Sequence, residues 1–258
     1  MPNILILNVG TTSIAYKLFD QQYVELSSGS LPSGDFNASF KQLLRQVINY
    51  GDIAIVGHRI VHGGNEYYRP FVVNQYNIQK FKELADFASL YNVPAIEGVE
   101  KAMEFLPEAT HVSVFDTAFF YELPETAKTY PLPRQIQEAG LRRYGFHGLS
   151  HEHAMNEAAS VLKIRPNGIN LISIHLGDTD SVAAIKSGKP IEISNGCDPR
   201  DGLVTMSSSG SLDANFILQL LHIFQGEISQ GKITKVFDIL NNGSGIKALC
   251  GIDNFQEL

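Results

Sequence analysis

Residues 142–151 read Arg-Arg-Tyr-Gly-Phe-His-Gly-Leu-Ser-His. Buried guanidiniums and imidazoles cost free energy unless they are paired, so a hydrophobic core has no use for this mixture. Glycines admit close backbone approach, and the cations can meet an anion through charge-assisted hydrogen bonds. The run follows Pro131-Leu132-Pro133-Arg134, a loop-like stretch near the middle of the chain. A ligand site at the junction of two halves accounts for both observations. On composition, the alternative is a polar, glycine-bent linker with a few salt bridges.

Other segments carry related chemistry. Asn8-Val9-Gly10-Thr11-Thr12-Ser13 lies between a short apolar run, Ile4 to Leu7, and an alternating stretch, Ile14 to Asp20, that reads as the return strand. Turn amides and hydroxyls can donate to oxyanions, so this turn is either a phosphate cradle or a plain hairpin with a polar tip. The design returns at Asn170 to Gly177, a strand ending in glycine. Asp178-Thr179-Asp180-Ser181 makes the turn, Val182 to Lys186 returns, and Ser187 to Pro190 opens a third strand, Ile191 to Ile193. Two such units, one opening each half, imply an internally duplicated α/β architecture. Facing each other across a cleft, the two turns would grip a phosphate chain from both sides.

The elements between them deliver further candidates. Phe36 to Asn49 has amphipathic helical spacing, and Ile53 to Gly57 is a buried strand running into His58-Arg59-Ile60-Val61-His62-Gly63-Gly64. An arginine at the carboxyl end of a strand, followed by paired glycines, is placed to hold an anion in an α/β crevice. His58 and His62 read as structural rather than catalytic. Ile78 to Ser89 and Pro94 to Phe105 are expected to be helices. Val112 to Phe115 is a strand that delivers Asp116 and Thr117 to its carboxyl end, a place for a metal-binding or water-positioning carboxylate.

The bulk numbers exclude several classes. A chain of 258 residues with 44% hydrophobic and 18% charged content has ample core material for one large domain or two of ordinary size. A net charge of −7 argues against nucleic acid or an anionic membrane as partner, so any anion must be captured by a local cation cluster. Two cysteines, Cys197 and Cys250, form no disulfide framework and fit a reduced cytosol. The N-terminus has no basic segment and too few apolar residues for a signal peptide, and no apolar run approaches membrane-spanning length. The expectation is a soluble, cytoplasmic protein.

Taken together, Asn8-x-Gly10-Thr11-Thr12-Ser13, the 57–64 segment Gly-His-Arg-Ile-Val-His-Gly-Gly, Phe115-Asp116-Thr117-Ala118-Phe119, Tyr144-Gly145-Phe146-His147-Gly148-x-Ser150-His151 and His175-Leu176-Gly177 follow the order and approximate spacing of acetate kinases. The chain resembles that family from its first strand to its end. The resemblance implies a duplicated ribonuclease H-like α/β fold of the sugar kinase/Hsp70/actin superfamily. It would have an N-terminal domain over residues 1–148 and an incomplete, nucleotide-side domain over 149–258. It implies phosphoryl transfer between ATP and acetate or another short carboxylate, with Mg²⁺, an acyl phosphate product and a homodimer formed through the second domain. Carried over position by position, Arg59, Asp116 and His147 are the catalytic residues. Val61, Leu90, Phe146 and Pro199 line the pocket for the methyl group. Thr11, Thr12, Ser13, His175 and Gly177 meet phosphate, and Asn8 and Asp116 hold the metal.

The departures fall on the chemistry. Ser208 stands where the family has a second arginine, and one arginine on the equatorial phosphoryl oxygens can be worth ~10³-fold or more. Asp178 and Asp180 place two carboxylates in the nucleotide-side turn, where like charges oppose polyphosphate. Ala15 replaces a lysine, with Lys17 close by; Tyr91 and Phe120 replace histidines. The sequence given stops at Leu258, where family members continue with an adenosine-binding loop and a metal-binding glutamate. The expectation is a kinase whose activity, and whose binding of ATP and Mg²⁺, is impaired or absent. The alternative is a non-catalytic module that binds a small carboxylate or acyl phosphate, or that dimerises.

Overall fold

A computed structural model describes residues 2–177, 179–224, 228–252 and 257. The chain divides into two units, Met1–Tyr121 and Glu122–Leu258. In the first, β1 (Asn3–Val9), β2 (Ser13–Phe19) and β3 (Glu25–Pro32) form an antiparallel meander. α1 (Phe36–Val47) follows, then β4 (Ile53–Ile60), β5 (Phe71–Val73), α2 (Ile78–Phe81), α3 (Ser89–Phe105) and β6 (Thr110–Phe115). The described strands make one sheet in the order β3-β2-β1-β4-β6-β5, with β1, β4 and β6 parallel.

Alternation sets the faces. Leu5, Leu7 and Val9 of β1 are buried, and Asn8 points to the opposite face. On β4, Val56, His58 and Ile60 go inward and Arg59 does not. Leu7 of β1 registers with His58 of β4, which puts Asn8 beside Arg59 at the carboxyl ends of neighbouring parallel strands. Helix α1 starts where the Asp35 carboxylate accepts the Ala38 amide at 3.0 Å, and it buries Phe40, Leu43 and Val47 at helical spacing against Leu5, Leu7 and Leu18. A second cluster packs Phe81, Val99 and Phe115 with Ile60.

Two helices differ from the sequence expectation. The 78–89 helix stops after one turn at Phe81, and a 3₁₀ stretch, Lys82–Asp86, replaces its second half. The Asn92 amide takes the Leu84 carbonyl at 2.7 Å, and Ala88 turns left-handed at φ 45°. Helix α3 then begins at Ser89 and runs through Pro94, which forgoes a single bond to the Leu90 carbonyl. The strand expected over 53–57 extends to Ile60, so His58 and Arg59 lie within it.

In the second unit, α4 (Glu125–Lys128) and α5 (Arg134–Glu138) lead to α6 (Gly148–Val161). Strands β7 (Leu171–His175), β8 (Ser181–Lys186) and β9 (Lys189–Ile193) form another antiparallel meander. Helices α7 (Ala214–Ile223), α8 (Gln230–Asn242) and α9 (Gly245–Cys250) follow. The division after Tyr121 falls earlier than the 148/149 boundary read from the sequence, because residues 122–147 are fastened to β9 and the loop beyond it. Glu122 pairs with Lys189 at 3.0 Å, Arg143 with Glu192 at 2.7 Å, and the Tyr144 amide bonds the Gly196 carbonyl at 3.0 Å. No described helix is long and apolar enough to cross a membrane.

Candidate functional site

In the first unit the parallel strands bring three of the expected residues together. Arg59 from β4 grips Asp116, just past β6, through Nη2 to Oδ2 at 2.6 Å and through Nε at 3.2 Å to both oxygens. Its Nη1 donates to Asn8 Oδ1 at 3.1 Å. The Asp116 side chain is 2% exposed and that of Arg59 34%, so the fork is anchored at one end and open at the other. Burial alone would lower the Arg59 pKa; Asp116, with Tyr91 beyond it, holds it above its ordinary value. The loop after β4 is fixed from both sides. Asn92 accepts the His62 amide and donates to the His62 carbonyl, and Thr117 Oγ1 accepts the Gly63 amide at 3.0 Å. A Cβ at Gly63 would collide with the Tyr67 carbonyl, which explains the glycine.

His58 is 2% exposed and stacked on His111, with Nε2 3.0 Å from His111 Nδ1. His111 Nε2 donates to the Leu106 carbonyl at 3.0 Å, so a neutral His111 receives the His58 proton at Nδ1. Burial, with His111 alongside, pushes the His58 pKa down to about 3.

In the second unit, His147 is the left-handed residue (φ 58°) that precedes α6, and it is 6% exposed. Its Nδ1 lies 2.8 Å from Ser181 Oγ and its Nε2 3.0 Å from Thr179 Oγ1. His175, at the end of β7, stacks on it with centroids 4.1 Å apart and bonds Ser150 Oγ at 2.9 Å. The Gly177 amide donates to Asp180 Oδ1 at 2.9 Å, and Asp180 is 6% exposed. Asp178 lies outside the described residues. His151, Ser173 and Ser181, which the sequence reading did not single out as site residues, join this cluster. The available signal was that His147 and His151 are one helical turn apart.

The remaining candidates are distributed over both units. Thr11 and Thr12 are exposed on the β1–β2 turn, where the Gly10 amide bonds the Ser13 carbonyl at 2.8 Å and Ser33 Oγ donates to the Thr11 carbonyl at 2.7 Å. Val61 is half-buried after β4, and Leu90 is 41% exposed in the first turn of α3. Phe146 and Pro199 are buried. Lys17 is committed to Glu25 at 2.7 Å. Ser208 is 1% exposed; its hydroxyl meets Thr205 Oγ1 at 2.9 Å, and its amide donates to the same oxygen at 3.1 Å. Gly210, at φ +67°, keeps this turn closed, since a Cβ would stand 2.7 Å from the Gly202 carbonyl.

Residues 32–257 match the family model described as the acetokinase family. The chain belongs to that family. It is 39% identical over 208 residues to an acetate kinase of Sulfurovum sp., an alignment that covers 80% of this chain and 51% of that one. The solved acetate kinase of Porphyromonas gingivalis superposes with a TM-score of 0.85 at 28% identity, covering all of this chain and 72% of the other. A propionate kinase from Francisella tularensis gives 0.88 at 28% identity with the same coverage. The fold is therefore the duplicated ribonuclease H-like α/β fold that the two strand-turn-strand units suggest. The chain spans about half the length of the curated relatives it matches.

The donor chemistry bears on the cofactors. Among the described residues no group of three His, Cys, Asp or Glu could hold a metal. Asn8 Oδ1 and the Asp116 carboxylate are hard oxygen donors. All three oxygens already accept from Arg59, so they suit only a Mg²⁺ that keeps its waters and arrives with phosphates rather than a caged resident ion.

Proposed function

We propose that this acetokinase-family chain is a phosphotransferase that acts between ATP and acetate or another short carboxylate, through an acyl phosphate, with that activity impaired. The observation that carries the reading is the bond from the Gly177 amide to Asp180. An amide at a strand-end glycine turn is an oxyanion donor, and here the anion it serves is the chain's own. An incoming polyphosphate has to displace a buried carboxylate and then lie beside it, like charge against like. Ser208 adds to this, because a closed hydroxyl turn stands where the resemblance puts an arginine.

The residues divide the work. Arg59 presents a guanidinium, oriented by Asp116, to carboxylate or phosphoryl oxygens. His147 offers an imidazole to the transferring group, and the Thr11, Thr12, Ser13, His175 and Gly177 positions serve phosphate. Val61, Leu90, Phe146 and Pro199 keep the apolar character that the resemblance expects at the positions for the methyl group. Mg²⁺, when bound with nucleotide, neutralises phosphate charge, and Asn8 and Asp116 are the donors that would hold it. The Asp180 contact also favours a second reading, a module that binds a carboxylate or acyl phosphate without turnover, because it obstructs only the nucleotide side.

Hydroxamate trapping with acetate, ATP and Mg²⁺, run beside an active relative, separates the two. Slow trapping together with calorimetric binding of acetyl phosphate supports the impaired kinase. Binding without trapping supports the module. Neither signal overturns both readings, and trapping at the relative's rate overturns the impairment.

A further inference from the structure

Buried side chains of the second unit are joined end to end. Ser173 Oγ on β7 is 2.8 Å from His151 Nδ1, and His151 Nε2 is 2.8 Å from Ser181 Oγ. That same hydroxyl is 2.8 Å from His147 Nδ1, and His147 Nε2 is 3.0 Å from Thr179 Oγ1. Ser181, the first residue of β8, is 0% exposed, and His151 is 1% exposed. A serine hydroxyl has one proton to donate, and a neutral imidazole has one N–H and one bare nitrogen. Burial, reinforced by His175, lowers the His151 pKa to about 4, so this ring is neutral near pH 7.

With His147 neutral as well, the bonds align in one of two directions. In the outward direction Ser173 donates to His151 Nδ1, His151 Nε2–H donates to Ser181, and Ser181 donates to His147 Nδ1. His147 then carries its proton on Nε2, where Thr179 Oγ1, 3.0 Å away, accepts it until an anion takes that place. In the inward direction every donor reverses, and His147 Nε2 is bare and accepts from Thr179. Of these two neutral arrangements, only the outward one turns an N–H toward an anion, because a bare nitrogen would meet it lone pair to lone pair.

We infer that Ser181 is a positioning residue, whose hydroxyl locks the tautomers of His147 and His151 together and turns the His147 Nε2–H toward a phosphoryl oxygen. The assignment of the phosphoryl group rests on the role proposed above for His147; the tautomer coupling does not. An anion at His147 selects the outward direction along the whole chain of bonds, so its effect reaches Ser173.

The test is long-range proton–nitrogen correlation NMR of the full chain, which reads each imidazole nitrogen, with inorganic phosphate as the probe. With phosphate, His147 and His151 should both be Nε2–H tautomers. Ser181→Ala should give mixed tautomers at both rings, and Ser181→Thr, which keeps the hydroxyl, should restore the single pattern. Ser173→Ala should also mix the His147 tautomers from the far end, and it stands in if Ser181→Ala does not fold. Unchanged tautomers in the alanine variants, or a His147 Nδ1–H tautomer with phosphate bound, would overturn the inference. Coupled tautomers in a protein that neither binds acetyl phosphate nor forms it would leave the inference standing and overturn the proposed function. Acyl phosphate chemistry with uncoupled rings would do the reverse.

Discussion

The Asp180 carboxylate accepts the Gly177 amide at 2.9 Å, so the glycine turn after β7 already holds an anion. Asp180→Ala removes that anion and frees the amide. The affinity for Mg²⁺·ADP measured by calorimetry should rise roughly tenfold, equivalent to about 1.4 kcal/mol. The same change should cost about 1–2 kcal/mol of folding stability for the lost charge-assisted bond. Unchanged or weaker nucleotide binding would show that Asp180 is not the obstacle.

Arg59 and Asp116 are coupled in the opposite sense, since each satisfies the other. Arg59→Ala strands a carboxylate that is 2% exposed, although solvent reaches the guanidinium end. The loss of stability should be about 1–3 kcal/mol, below the figure for a fully buried pair. Acetyl phosphate binding should weaken by at least tenfold, and Arg59→Lys should recover stability better than affinity because lysine lacks the planar fork. Calorimetry and urea unfolding on both variants check the split. Equal affinity in Arg59→Ala and the parent would remove Arg59 from the site.

The strands carrying this pair were legible because short apolar runs end in glycine or polar turns, as at 53–57 and 112–115. What the sequence did not reveal was register. His58 and His111 face each other only because β4 and β6 align Val56 with His111, and nothing local announces that pairing. β3 went unread for a similar reason. Its Glu-Leu-Ser-Ser-Gly-Ser-Leu-Pro sequence is a solvated edge strand, held by β2 rather than by its own propensity. The carboxylates at 178–180 were legible as a threat to phosphate, but that Asp180 turns back onto the Gly177 amide three residues away depends on the local turn conformation, which composition does not give. The Ser173–His151–Ser181–His147 connection likewise needs β7, β8 and α6 packed together.

The buried histidine pair sets an acid limit. The His58 pKa is pushed down to about 3, and that of His111 is lowered by burial, against an unfolded value of about 6.5. Below about pH 6.5 the unfolded chain binds protons that the folded chain refuses, so stability falls with pH through that window and is complete above it. His58 alone contributes a slope of up to about 1.4 kcal/mol per pH unit. His151, lowered to about 4, acts in the same direction. Urea midpoints should be level near neutrality and decline toward pH 4.5, with a shallower decline in His58→Gln. A level profile across the whole range would contradict this account.

Self-association is expected of the second unit. On α7, Phe216, Leu218 and Ile223 are 43%, 55% and 69% exposed, an apolar display spread around much of the helix. Light scattering at high micromolar concentration should give a dimer, and Leu218→Glu with Ile223→Glu should return it to monomer. A monomeric parent would count against the assignment.

Ser208→Arg is the substitution that most directly asks what is missing, and it should not restore acetate phosphorylation. Ser208 is 1% exposed and closed onto Thr205, with Gly210 and Gly202 tight behind it. A guanidinium there must open the turn, at about 1–3 kcal/mol of overpacking, before it can reach any substrate. Once outside, it can act only on a phosphoryl group already held in line, and the turn that would hold it is occupied by Asp180. A deficit of about 1.4 kcal/mol at Asp180 and one of about 2–4 kcal/mol at Ser208 together conceal the repair of either one alone. Hydroxamate trapping with the parent, Ser208→Arg, Asp180→Ala and the double variant resolves the order. The double variant should exceed both single variants, because removing the anion is a precondition for the arginine to count. Full rescue by Ser208→Arg alone would show that the filled glycine turn is no barrier and that the lost arginine was the whole defect.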